Sequence, residues 1–575
     1  MSTATLPPAA SDLTPPDPTD PRIYPPLTDA QIERMRAFGE PREFAAGAVV
    51  FEQGQRESPF FFLDAGAVRI VERGPEGRQL VHVDAGTFIG DIAMFTGAPA
   101  AVACEAVGPV VAHVLDREKL RRLVTSHADI GDLVLRALLA RRDWMRAQHV
   151  GEIKLLGPAW SDETHRLRTF LERNQVPFSW YDTEACTESC ALTDALSITA
   201  DDFPVIISGE NVYRRPDIDG VANCLGLRPD LSEDEPYDLA VIGAGPGGLG
   251  AAVYGASEGL STVVFEGDSP GGQAGTSSKI ENYLGFVTGV SGQELTKQAT
   301  LQARKFGAVM TNPTAVTGIV CDAADLPKRI TLNDGRTIKA WAVVIASGAS
   351  YRKLPDIGCE RFEGKGVYYA AGPMEAQQCQ TSQVVIVGGG NSAGQAAIFL
   401  SEHVEHVHLV IRRPDLSATM SDYLIGRIHT SPTITLHTET EVVGVSGDDR
   451  PRSFTFRSPA GEREVAAAAL FVMIGASPRT EWIDPTICVA LDAKGFVTTG
   501  PSAKGHPLFA THWSGSRDPH LLETTRPGVF AVGDVRSGSV KRVASAVGEG
   551  AMAVSFVHAF LSEPAVGAAR AAARG

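Results

Sequence analysis

Two glycine-rich turns constrain this chain more than any other feature. Asp238-Leu239-Ala240-Val241-Ile242 reads as a buried strand that runs straight into Gly243-Ala244-Gly245-Pro246-Gly247-Gly248 and a helix of small residues. Glycines so placed permit a tight turn, a close approach to a pyrophosphate and close packing of helix on strand, while the helix N-terminus supplies positive potential. A second copy follows: Val384-Val385-Ile386-Val387 leads into Gly388-Gly389-Gly390-Asn391-Ser392-Ala393, with alanine in the third small position. Two such units call for two parallel α/β sheets, and the expected fold class is multidomain α/β with two Rossmann-like domains.

The strands after the two turns end differently. Ser261 to Phe265 ends at Glu266, whose carboxylate can accept hydrogen bonds from an adenosine ribose. Val407 to Ile411 ends at Arg412-Arg413, and paired guanidiniums suit a 2′-phosphate. The first site is therefore expected to hold FAD and the second to bind NADPH.

At 575 residues the chain is too long for one compact core, and three to five domains are expected. Its net charge of −16, with no basic block, argues against nucleic-acid and anionic-membrane roles. No apolar run approaches the roughly 18 to 20 residues of a membrane span. Leu6-Pro7-Pro8, Thr14-Pro15-Pro16-Asp17-Pro18 and Tyr24-Pro25-Pro26 read as a disordered leader over 1–27, not as a signal peptide. Eight scattered cysteines lack the pairing of a secreted scaffold, so a reducing cytoplasm is expected.

Between the leader and the first turn lie two smaller units. Short strands at Val49–Phe51, Phe60–Leu63, Val68–Val71, Val81–Val83 and Val110–Leu115, punctuated by glycines, predict a small β-barrel or jelly roll. A helical stripe from Arg117 to Met145 closes it, giving a domain over 28–148. A second unit, over 150–230, reads as βαβ followed by ββα, and acidic, turn-rich Leu231 to Pro236 reads as a linker.

Further matches accompany the glycines: Pro270-Gly271-Gly272-Gln273, Ile280-Glu281-Asn282-Tyr283, Ile345-Ala346-Ser347-Gly348-Ala349, Phe471 through Gly475, and Gly528 through Gly533-Asp534 followed by Lys541-Arg542-Val543-Ala544. With these, residues 237–562 resemble the low-molecular-weight thioredoxin reductase type of pyridine nucleotide disulfide oxidoreductase. The resemblance implies a discontinuous FAD domain, 236–355 plus 484–575, with an NADPH domain inserted at 356–483. It further implies that Asp534 binds the ribityl chain of FAD, that Arg542, Val543 and Ala544 lie along the flavin, and that Gln273 and Asn282 touch FAD. It would make the protein a homodimer that passes hydride from NADPH to FAD, with thioredoxin or another redox protein as acceptor.

One part of that pattern is missing. The family's C-x-x-C ahead of the NADPH glycines is replaced by Ala370-Ala371-Gly372-Pro373, which closes the standard dithiol route. Cys379 remains as a candidate thiol, although a lone cysteine without a basic neighbour is more often packed and inert. Cys186 and Cys190 stand four apart in an acidic loop that opposes thiolate formation. The 150–230 unit looks like a glutaredoxin or thioredoxin fold, with Pro204 at its usual proline and Gly157-Pro158-Ala159-Trp160-Ser161 where active-site cysteines would stand. No residue cluster predicts a metal; His403, His406 and His408 lack carboxylate or cysteine companions.

The 28–148 unit resembles a cyclic nucleotide-binding domain, with Gly47, Gly54, Gly66 and Gly86 in its turns. Its phosphate cassette would include Gly90, Asp91, Ile92, Ala93, Ala100 and Ala101. The family places Glu at the position of Asp91 and Arg at that of Ala100, so a cyclic nucleotide or another anionic effector would be held without the usual charges. The expected function is an FAD-dependent NADPH oxidoreductase with an amino-terminal regulatory domain; the alternative is a non-enzymatic flavin and NADPH redox sensor.

Overall fold

The computed structural model describes residues 20–574, apart from 57, 74–77, 97–98, 149, 151–152, 175, 177, 185–191, 209–210, 226, 278–279, 355–356, 370, 487 and 514–516. Residues 1–19 of the expected leader, Cys186, Cys190 and Ala370 thus lie outside the described residues. The chain divides into two compact units: Met1–Pro158 with Gln175–Pro229 and Arg304–Gly307, and Ala159–Asn174 with Asp230–Ala303 and Ala308–Gly575.

In the first unit, two four-stranded antiparallel sheets form a β-roll. One has the order Glu40–Phe44, Val110–Leu115, Phe60–Ala65, Thr87–Ile89, and the other Val49–Phe51, Ala103–Ala106, Ala67–Glu72, Arg78–Asp84. Alternating inward residues such as Phe61, Leu63, Val68, Val81, Val83 and Cys104 make its core. Gly66, at φ +88°, turns one strand into the next where an added Cβ would come within 2.3 Å of the Pro109 carbonyl. The stripe expected as one helix is two, Arg117–Ser126 and Ala128–Ala147, broken at His127 in an extended conformation. Asp116 caps the first, accepting from the Lys119 N–H at 2.8 Å. The tail of the expected leader is also a correction: Ile23 is buried, and its carbonyl accepts from Arg141 Nε at 3.0 Å.

The same unit contains a third sheet, in the order Phe178–Tyr181, Ile153–Leu156, Val205–Ser208, Asn211–Arg214. The first pair is parallel and the other two are antiparallel. The Phe203–Pro204 peptide ahead of the third strand is cis.

The second unit carries the two glycine turns on two sheets. The first sheet orders Val309–Thr311, Thr262–Phe265, Tyr237–Ile242 and Thr337–Ile345 in parallel, extends into an antiparallel meander through Lys328–Leu332 and Val316–Val320, and adds Val529–Ala531 beside Thr337–Ile345. The second is fully parallel: Val367–Tyr368, Ala469–Val472, Gln383–Val387, His406–Val410, Ile434–His437. Their near-continuous apolar runs are what a parallel sheet covered on both faces requires. Each sheet has its own core, one joining Ala240 and Ile345 to Val489 and Val529, the other joining Ile386 and Leu409 to Phe471. Ala349–Tyr351 and Ala476–Pro478 pair antiparallel, where the chain leaves the first sheet and returns to it.

Helix Val543–Leu561 corrects the expectation about apolar runs, because by length and composition it could cross a membrane. Here it packs against helix Pro246–Ser257, close enough that a Cβ on Gly550 would meet the Gly247 carbonyl at 2.1 Å.

Candidate functional site

The two turns use their glycines in two distinct ways. At Gly243, φ is +102° and an added Cβ would meet the Ala346 carbonyl at 2.3 Å; at Gly388, φ is +145° and the Met473 carbonyl stands at the same 2.3 Å. Gly248 is tighter still, with the Gly243 carbonyl at 1.8 Å. These glycines are demanded by the packing of strand, turn and helix. Gly245 and Gly390 are not: an added Cβ would meet only Gly272 Cα at 3.9 Å in the first case and nothing within 4 Å in the second. Both sit at the N-cap of a helix, Pro246–Ser257 and Asn391–Ser401, where free backbone N–H groups and the helix dipole favour an anion. Glycine there keeps a side chain out of the place a pyrophosphate approaches, which is the test that a dinucleotide site has to pass.

Around the first turn the fold gathers residues that are distant in sequence. Gly271 N–H donates to the Ala244 carbonyl at 2.8 Å, and Gly272 lies against Gly245. Gln273 donates from its side chain to the Ala349 carbonyl. Ser347 Oγ donates to the Arg479 carbonyl at 2.8 Å, and the Arg479 N–H donates to that of Gly348 at 3.0 Å. Gly533 is 3.7 Å from a Cβ built on Gly247. Arg542 is the N-cap of helix Val543–Leu561; Arg542 and Ala544 are exposed and Val543 is half-buried. Asn282 lies exposed in the loop after Ile280.

Glu266 is buried on this turn. Its carboxylate accepts from the Ala244 N–H at 2.7 Å and from the Asp268 N–H at 3.0 Å. Burial pushes its pKa up, and those two N–H groups pull against the shift. Asp534 is also raised by burial, with Lys541 opposing.

The second turn is braced and open. Thr419 Oγ1 donates to the Gly389 carbonyl at 2.7 Å, and Asn391 Oδ1 accepts from the Ser421 N–H at 2.7 Å. Ser392 is exposed, Ala393 is fully buried in the helix contact, and Gly475 has φ +97° beside the returning strand. Arg412 and Arg413 are both exposed beyond the end of strand His406–Val410.

Sequence reasoning missed Thr419, Ser421 and Glu549. Glu549 accepts from the Gly533 N–H at 2.7 Å and from Arg536 Nε at 3.2 Å, so it fixes the segment before Asp534. None of the three has a spacing signal, because the partners stand 13 to 30 residues away.

At the position of the missing dithiol, Ala371 is buried and the Gly372 N–H donates to Glu375 Oε2 at 2.9 Å. His165 Nε2 is 4.0 Å from Glu375 Oε1; burial raises the carboxyl and lowers the imidazole to about 4, working against the charged form of each. Cys379 is 2% exposed, and burial, with Glu375 adding to it, pushes its thiol up to about 12. It lacks the exposure and electropositive surroundings of a reactive thiolate.

In the β-roll, Gly90, Asp91, Ala100 and Ala101 come together on the wall of one cavity, with Ile92 and Ala93 buried beside it. The Asp91 carboxylate accepts from the Ile92 N–H at 2.5 Å, and Ala100 is buried.

Residues 237–550 match the model of the pyridine nucleotide-disulphide oxidoreductase family, more than half the chain, and residues 41–127 match that of the cyclic nucleotide-binding domain. Thioredoxin reductase from Mycoplasmopsis pulmonis is 31% identical over 327 residues, 56% of this chain and 97% of that one. NADPH-dependent thioredoxin reductase 3 of Arabidopsis thaliana is 29% identical over 373 residues, and the chain spans 66% of its length. Among solved structures, Lactococcus lactis thioredoxin reductase in its FR conformation superposes with a TM-score of 0.50 at 28% identity, covering 56% of this chain and 99% of that one.

Proposed function

The chain belongs to the pyridine nucleotide-disulphide oxidoreductase family, and from that premise we propose that it oxidises NADPH through FAD and hands the electrons to an acceptor without a dithiol at the family's usual position. It is an oxidoreductase whose cofactors are FAD and NADPH, and it carries a cyclic nucleotide-binding domain ahead of its redox part.

The observation that carries this reading is the contrast between the two strand ends. Both helix N-termini offer N–H groups to a pyrophosphate, but Glu266 offers a carboxylate to a ribose, whereas Arg412 and Arg413 offer guanidiniums to a 2′-phosphate. Bound FAD supplies the redox chemistry, accepting hydride from the nicotinamide and releasing electrons to the acceptor. The protein's own part is to hold and orient. Glu266 and Gly243 through Gly248 fix the adenine-side half of FAD, and Asp534 and Arg542 through Ala544 carry their family roles along the ribityl chain and flavin. Gly388 through Ala393, with Gly475, hold the NADPH pyrophosphate region.

Thioredoxin is the acceptor that the relatives' names bring forward. With Ala371-Gly372-Pro373 at the dithiol position and Cys379 buried, we leave the acceptor class wider: a disulfide, a quinone, an iron–sulfur or flavin protein, or oxygen. We read the Ile153–Cys224 region as a thioredoxin-like module without active-site cysteines; its sheet order supports this. The β-roll is read as regulatory, the working form as a homodimer. The free thiols of Cys104, Cys224, Cys359 and Cys379 suit a cytoplasmic setting.

Anaerobic titration of the FAD-loaded protein with NADPH tests the reading. The visible flavin band is expected to bleach, with NADH much less effective; a band unchanged at saturating NADPH overturns it. Turnover is then followed with oxidised thioredoxin, a quinone and oxygen in turn.

A further inference from the structure

The cavity inside the β-roll has a chemistry that a cyclic nucleotide does not need. It is a partly open cavity lined by strands of both sheets and by the closing helix. Its wall is mainly apolar: Phe51, Ile70, Leu80 and Val81 from the strands, Trp144 and Met145 from the closing helix. A phosphate taken into such a place needs a cation, because burying a charge without a partner is strongly unfavourable.

Among the described residues that line it, the one cation is Arg141, and it is already engaged. Arg141 donates through Nε to the Ile23 carbonyl at 3.0 Å, through Nη1 to that of Gly90 at 3.2 Å and through Nη2 to that of Phe88 at 3.0 Å. Its guanidinium also lies 4.6 Å from the Tyr24 ring centre and 4.7 Å from that of Phe88. All three nitrogens therefore serve to hold Ile23 and the start of the cassette, Phe88 and Gly90, in place. The position at which the family places its phosphate-binding arginine is Ala100, 5% exposed. The other described wall residues with a hydrogen-bonding side chain are Tyr24, Ser58, Asp91 and Trp144; burial pushes the Asp91 carboxyl up, with Arg142 and Arg141 opposing, and a group so placed suits a neutral polar partner.

We propose that this cavity binds a small uncharged ring compound, apolar over most of its surface with at most one hydrogen-bonding group, and that phosphates are excluded from it. The placement of the ligand follows from the wall. Apolar strand residues and Trp144 take the ring faces, while Asp91 or Ser58 meets the single polar group. Because Arg141 ties Ile23, Phe88 and Gly90 around the same space, an occupant touches the cassette and the closing helix at once. That is the arrangement through which such a domain can report occupancy. The inference rests on reading the β-roll as an effector domain and is independent of the redox reading.

The test is isothermal titration calorimetry on the full-length FAD-loaded protein with indole, 1-naphthol and phenol, and separately with cyclic AMP and cyclic GMP, all without NADPH. At least one ring compound is expected to bind at one per chain, with an affinity that saturating cyclic AMP leaves unchanged. Ala101→Phe and Met145→Trp, which fill the space from different walls, are each expected to weaken that binding by about tenfold or more while the flavin content stays as it was. Failure of all three ring compounds to bind, their displacement by a cyclic nucleotide, or unchanged affinity in both filled variants overturns the proposal. Flavin bleaching by NADPH is unaffected by any of these outcomes, so failure here and failure of the redox reading are separable.

Discussion

The two glycine turns are built alike and finished differently. In both, a glycine with positive φ lets a neighbouring strand's carbonyl come close, and an N-cap glycine leaves the helix N-terminus bare. After that they diverge. The first turn is closed by Glu266, buried and bonded to the turn's own Ala244 N–H, whereas the strand after the second runs out to Arg412 and Arg413, which stand exposed. A closed turn suits a cofactor that stays, and an open one followed by exposed cations suits a substrate that comes and goes. The shared frame is what strand–turn–helix geometry demands; the difference is where the two functions separate.

The sharpest way to break the comparison is at Gly248. An alanine there places Cβ where the Gly243 carbonyl stands, at 1.8 Å, and backbone has no cheap way to move aside. Gly248→Ala is expected to yield protein with at least about tenfold less bound FAD, read as the ratio of flavin to protein absorbance. Gly390→Ala, where a Cβ meets nothing, is expected to leave FAD content alone and weaken NADPH only. Equal loss of FAD in both variants would show that the two turns are not independent.

Next in size is the arginine pair. Replacing Arg412 and Arg413 with alanine removes charge-assisted contacts worth about 1.5 to 3 kcal/mol, so KM for NADPH is expected to rise roughly 10 to 150-fold with KM for NADH unchanged. A parallel rise for both nucleotides would mean that the pair does not read the 2′-phosphate.

The halves should also respond oppositely to acid. His408 and His437 accompany the second sheet, with His408 Nδ1 and His437 Nε2 3.1 Å apart, and burial lowers each to about 4. From about pH 6.5 down to 4 the unfolded state binds protons that the folded state refuses, so stability falls as pH falls through that window. Glu266, raised by burial, has the opposite sign: its contribution is lost as pH rises above the unfolded carboxyl value. A melting temperature that drops between about pH 6.5 and 4, and drops less steeply in a His408→Gln, His437→Gln variant, is the expected result by calorimetry.

What was legible in the sequence follows from locality. Each turn, its strand and its helix occupy about twenty contiguous residues, so the glycine pattern sits in one short stretch of sequence. The strands of the β-roll were legible for the same reason, since alternation and glycine turns are local. What was not legible depends on distant partners. Glu549 braces Gly533 from a helix, and Thr419 and Ser421 brace the second turn from 30 residues away. The proline-rich composition of the leader concealed that Ile23 and Tyr24 are held by Arg141, more than a hundred residues on. The apolar run of helix Val543–Leu561 escaped notice because glycines and a glutamate interrupt it, and the same glycines let it pack on its neighbour.

The smallest expected effect concerns the one cysteine near the vacated dithiol position, and its smallness is the point. If electrons left through Cys379, a thiolate would have to form there, yet the thiol is 2% exposed and held up to about 12 by burial and by Glu375. At neutral pH the thiol form then dominates, which leaves a poor nucleophile for attack on a disulfide. Cys379→Ser is therefore expected to change NADPH-driven flavin bleaching, and turnover with whichever acceptor proves active, by less than about twofold. Native Cys379 should also resist alkylation at neutral pH until the protein is unfolded, as peptide mass analysis can show. Thioredoxin-dependent turnover that disappears in Cys379→Ser would reverse this argument. It would mean that the helix Pro373–Gln378, which ends at this cysteine, opens during the reaction to expose it.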